Sequence, residues 1–103
     1  MYADLGAEKI IAAQKAECKI AVEIKSFLSP SPLTDFHLAL GQFINYRSAL
    51  ADQEPDRTLY LAIPVEAHER FFTRAFARKI VKDYDVKVIV YDPQQEVIIK
   101  WQE

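Results

Sequence analysis

The segment IAVEIKSF, residues 20–27, constrains this chain more than any other. Ile20, Val22 and Ile24 alternate onto one side of an extended strand, and Ala21, Glu23, Lys25 and Phe27 onto the other. An acid and a base thus sit two residues apart in a run otherwise suited to a core. Burying such charges is costly unless they are paired or needed. The strand spans residues 18–28 and ends at SPSP, residues 29–32, because proline cannot donate to a sheet ladder. The alternation predicts Ile20, Val22 and Ile24 packed beneath a helix, with Glu23 and Lys25 side by side on the other face.

A helix follows from Pro32 to Leu50. Ser31 can cap it, Pro32 suits its first position, and Phe36, Leu40, Phe43, Ile44 and Leu50 form an apolar stripe. Upstream, residues 2–14 read as one strand joined to the next by a turn at Lys15–Glu17. Downstream, residues 51–57 are a polar loop and LYLAIPV, residues 59–65, is a central strand. Residues 66–83 read as a second amphipathic helix that turns Phe71, Phe72, Ala75, Phe76 and Ile80 inward. VKVIVYD and EVIIKWQE are two last strands joined at Asp92–Gln95. The order strand, strand, helix, strand, helix, strand, strand predicts an α/β (α+β) domain: a mixed sheet flanked by helices.

At 103 residues the chain fits one domain, and with half of its residues apolar it can bury a core. Its net charge of −2 gives no general attraction to nucleic acid. Any DNA binding by the isolated chain is expected to be weak and salt-sensitive. The single cysteine, Cys18, excludes an intrachain disulfide and a cysteine-rich zinc site. Without a signal peptide or a long apolar run, a cytoplasmic setting is expected.

Glu23 and Lys25 lie roughly 6.5–7 Å apart along the strand. Metal-assisted phosphodiester hydrolysis uses such an arrangement: a carboxylate anchors a divalent cation and a lysine stabilises developing negative charge. A second carboxylate is needed, and Asp4 and Glu8 on the preceding strand are the candidates. A tight turn near Ala16 would put Glu8, rather than Asp4, opposite Glu23. The plainer reading is an ordinary charge pattern on a half-solvated strand face.

Wider context favours the functional reading. YADLGAEK, IAVEIKSF and ALGQFINYR, in this order, resemble the XisH family of fdxN element excision-controlling factors from cyanobacteria. The resemblance runs from Tyr2 to Trp101. It implies a restriction-endonuclease-like fold of the PD-(D/E)XK superfamily, with an acid on one strand and acid-x-lysine on the next. By that resemblance Asp4 is the first acid, Glu23 and Lys25 are the second element, and Gln42 and Tyr46 form the Gln-x-x-x-Tyr pair on the following helix. Asp4 and Glu23 would then hold Mg2+ or Mn2+. The family also implies a role in programmed DNA element excision during heterocyst development. Its expected partners are DNA, a site-specific recombinase and an XisI-like companion protein, with the chain itself a homo-oligomer. The chain starts close to the first acid, so a single domain lacking the family's N-terminal helix and strand is expected. A non-catalytic accessory or assembly protein on the same fold is the alternative function.

Gln42 and Tyr46 are four residues apart and share a helix face. Arg70, Arg74 and Arg78 recur at the same spacing and would make a basic ridge, either solvated or in contact with phosphate. His37 and His68 have no partner at metal-ligand spacing and read as surface residues.

Overall fold

The computed structural model describes the backbone of residues 2–5, 8–15 and 18–102, with side chains from Lys19 onward. It is a mixed α+β structure whose six-stranded sheet has the order β1-β2-β3-β4-β5-β6. The strands are β1 (Tyr2–Leu5), β2 (Glu8–Lys15), β3 (Cys18–Ile24), β4 (Arg57–Pro64), β5 (Val88–Asp92) and β6 (Val97–Gln102). β1, β2 and β3 form an antiparallel meander, β3, β4 and β5 run parallel, and β6 returns antiparallel to β5.

The single strand expected over residues 2–14 is two strands, β1 and β2, that pair with each other. Antiparallel pairing puts Ile10 opposite Glu23, which corrects the expected Glu8–Glu23 register. The expected turn between β2 and β3 includes Ala16 and Glu17, which lie outside the described residues.

Helix α1 (Pro32–Gln53) starts where its cap predicts and runs one short turn past Leu50. The Ser31 hydroxyl accepts a hydrogen bond from the Thr34 N–H at 3.2 Å, and Pro32 needs no donor in the first turn. Asp35 is buried in that turn and accepts from the Ser29 N–H at 3.2 Å. Its negative charge also suits the positive end of the helix dipole.

The second helix is not continuous. Helix α2 (Val65–Ala67) passes into a π-helical turn, His68–Phe72, and helix α3 (Ala75–Asp83) starts afresh. Arg74 is extended between them and the Thr73 hydroxyl donates to the Glu69 carbonyl. Two consecutive rings, Phe71 and Phe72, are both buried here. The smaller angular step of a π turn helps turn both toward the sheet. The break also divides the expected Arg70–Arg74–Arg78 ridge. Arg70 is held by Glu66, and Arg74 lies over the Phe71 ring.

The helices cover one side of the sheet. Phe36, Ala39, Phe43 and Leu50 of α1, Phe71, Phe72, and Ala77 of α3 form one core with Ala21, Leu59, Leu61, Ile63, Val88 and Val90. Ile20, Tyr60, Ala62 and Ile89 form a second cluster on the other face, joined by Val22, Ile24, Tyr91 and Trp101 and, among the described residues, by no helical one. The expectation that Ile20, Val22 and Ile24 face a helix is therefore reversed. β3 turns its Glu23 side to the helices, because Ala21 leaves room for the large rings of α1. On this face Tyr60 and Trp101 meet edge to face at 5.2 Å.

Candidate functional site

β3 lies in the interior of the sheet, between β2 and β4. Glu23 is in register with Leu61 of β4 and has no exposed surface. Lys25 follows just past the strand end and is 7% exposed. Its N–H donates to the Ala62 carbonyl at 3.0 Å, which extends the sheet bonding by one residue and fixes the backbone beneath the ammonium. The two side chains share the helix-covered face, as the alternation predicts.

Helix α1 supplies the cover. Phe43 has no exposed surface and shares a core with Ala21 and Leu61, the residues that flank Glu23 along the strand and across the sheet. Tyr46 packs against that same core. Gln42, next to Phe43, has a buried Oε1 with no hydrogen-bond donor among the described residues. The helix segment Gln42–Tyr46 therefore lies over the sheet patch that carries Glu23.

The chain leaves Lys25 under strain. Phe27 has φ of 56°, in the left-handed region. For a bulky residue this costs on the order of 1–3 kcal/mol and persists only where the surroundings enforce it. The Phe27 ring packs edge to face on Phe72 at 5.5 Å, which holds the bend. No signal in the sequence marks this position, since glycine or asparagine is the usual cue.

Beyond the bend lies a cleft of about 750 Å³, at the C-terminal ends of β3, β4 and β5. Ser26, Ser29, Glu66, Arg70, Asp92 and Gln94 contribute its polar lining. It adjoins the strand end that bears Lys25.

Asp4 and Glu8 occupy different rows of the sheet. Asp4 pairs with Lys9, and Lys9 with Ile24. That row is one residue out of step with Glu23. Glu8 is two residues from Ile10, the register partner of Glu23, and so belongs to the row set of Glu23. The side chains of both acids lie outside the described residues.

A hard divalent cation takes oxygen donors and can be held by one or two carboxylates with several waters. Glu23 offers a carboxylate, and the Gln42 Oε1 is a buried oxygen in want of a positive partner among the described residues. This donor chemistry fits magnesium or manganese. Among the described residues no three His, Cys, Asp or Glu side chains gather, so a second carboxylate would come from β2 or β1.

The XisH protein family model matches residues 1–99. The chain belongs to the XisH family. An XisH family protein from Nostoc punctiforme is similar over 100% of this chain and 83% of its own, with 43% identity and a TM-score of 0.88. An fdxN element excision controlling factor protein from Anabaena variabilis is similar over 100% of this chain and 82% of its own, with 47% identity and a TM-score of 0.87. No curated protein matches. Among the described residues no helix is long and apolar enough to cross a membrane.

Proposed function

We propose that this XisH-family chain acts in programmed excision of a DNA element, on a restriction-endonuclease-like fold of the PD-(D/E)XK type. The Anabaena relative is an excision controlling factor, and that role is carried over here. Glu23 and Lys25 form the site, flanked by Gln42 and Tyr46. The observation that carries the reading is the withdrawal of a carboxylate and an ammonium from water on one face of an interior strand. Structure alone gains little from such groups, since their desolvation rivals their attraction. A chemical use accounts for them.

In this reading Glu23, together with Asp4 or Glu8, holds Mg2+ or Mn2+. The sheet register favours Glu8 for the second position. A bound cation would polarise a phosphate oxygen and acidify water. Lys25 stabilises the charge that grows on the phosphate, and its low exposure strengthens that effect. The Gln42 oxygen orients a donor at the edge of the site. Tyr46 anchors α1 over the strand, and the bend at Phe27 directs the chain away so that a phosphate can approach Lys25.

A second reading is an accessory protein that keeps the fold and works through partners, namely a recombinase and an XisI-like protein. The zero exposure of Glu23 favours it, since a reacting carboxylate needs access. Supercoiled DNA incubated with the chain and magnesium separates the two. Nicking that is lost in both Glu23→Gln and Lys25→Ala supports the catalytic reading. No cleavage by the wild type, alone or with the two partners, leaves the accessory role.

A further inference from the structure

We infer that the groove between α3 and β6 binds an acidic, extended segment of a partner protein. The groove encloses about 550 Å³. Phe72 and Val86, both buried, form its floor, Arg78 and Lys82 line it from α3, and Gln102 of β6 closes it. An apolar floor under a charged rim is the pattern of a protein–protein contact.

The charge on the rim is uncompensated. Arg78 and Lys82 are one helical turn apart, and like charges at that spacing repel. The neighbouring acids are already engaged, Asp83 by Lys79 and Asp85 by Lys87. Among the described residues no acid pairs with Arg78, Lys82 or Lys100. Lys100 shares the helix-facing side of β6 with Gln102, since their register partners Val90 and Val88 both belong to the core beneath the helices. Burial, and then the charge of Lys100, lower the pKa of His68, whose ring is hydrogen-bonded to Gln102. Glu69 opposes the shift without cancelling it. The groove is thus a region of positive potential in a chain whose net charge is −2.

Place and shape select the partner. The groove lies at Val86, ahead of β5, whereas Lys25 follows the end of β3, and β3, β4 and β5 run parallel. It therefore sits at the opposite end of the strands from Lys25 and two strands across, so a phosphate at Lys25 is not the ligand of Arg78 and Lys82. Phosphate contacts also have no use for an apolar floor. A peptide fills the floor with a side chain and gives its carboxylates to the rim.

Fluorescence anisotropy with a labelled, end-blocked pentapeptide tests this. The probe has a central phenylalanine flanked on both sides by aspartate and glutamate. One control peptide replaces the acids with their amides, and another replaces phenylalanine with alanine. The probe should bind with micromolar affinity, and both replacements should weaken it. Arg78→Ala and Lys82→Ala should each weaken it roughly threefold, and the double reversal Arg78→Glu with Lys82→Glu roughly tenfold or more. Both side chains are exposed, so the fold should persist, and circular dichroism checks that. Bound carboxylates should offset Lys100 and raise the His68 midpoint in an NMR titration. No binding of the probe up to millimolar concentration overturns the proposal. So does binding that ignores the double reversal or leaves His68 unmoved. Tighter binding of a single- or double-stranded oligonucleotide than of the probe, lost in the double reversal, also overturns it and makes the groove a nucleic-acid surface.

Discussion

Glu23 stands in register with Leu61, so a carboxylate with no exposed surface shares a sheet face with the apolar core beneath α1. The same helix that excludes water from the core also excludes it from the charged site. Stability of the core and integrity of the site are therefore linked through the side chains of α1.

Phe43 is the clearest probe of that link. It has no exposed surface and sits beside Gln42, over the patch of sheet that carries Glu23. Phe43→Ala should cost about 3–5 kcal/mol, from lost burial and the cavity left behind. Urea denaturation reads this as a fall in the midpoint. A loss below about 1 kcal/mol would mean that α1 does not press on the sheet as described.

Acid should weaken the fold through His68. Burial, and then the nearby Lys100, lower its pKa below 6.5, against weaker opposing effects of a hydrogen bond with Gln102 and of Glu69. The unfolded chain therefore binds the proton more readily than the folded one. Stability from neutral His68 is complete above 6.5 and falls as pH drops from there through the folded value. NMR titration of the His68 ring should give a midpoint below 6.5. A midpoint above it would reverse the sign.

Nucleic-acid affinity of the chain alone should be low. The net charge is −2, and the Arg70, Arg74 and Arg78 ridge is interrupted, with Arg70 engaged by Glu66. Binding to duplex DNA should be micromolar or weaker at low salt and vanish as salt rises. Fluorescence anisotropy across a salt series measures it. Nanomolar binding that survives high salt would point to a basic surface outside this account.

Part of this architecture could be read from the residues. The run from IAVEIKSF to the Ser31–Pro32 start of α1 carries strong local signals; α1 starts where they lie, while β3 stops at Ile24, short of the expected end at residue 28. The sidedness of β3 was misread because Ile20, Val22 and Ile24 look more core-like than Ala21 and Glu23. Burial of the helix rings needs the space that Ala21 leaves, which periodicity does not express. The break after Phe72 was hidden for a similar reason. Phe71, Phe72 and Phe76 fit a helical stripe, while the π turn depends on where the sheet receives the rings. No local pattern marks Gln42 as buried, and its buried oxygen is a tertiary fact. The left-handed Phe27 carries no local cue at all.

The proposed role of the buried Glu23 is to hold a divalent cation. Calorimetric titration of the wild type and of Glu23→Gln with manganese tests it most directly, since glutamine keeps the shape and removes the charge. A thermal melt of each protein beside the titration checks that the variant is folded. The account predicts saturable binding and a metal-dependent rise in melting temperature for the wild type, both lost in Glu23→Gln and both retained in Lys25→Ala. Equal binding by the wild type and Glu23→Gln, or no binding by either, would contradict it.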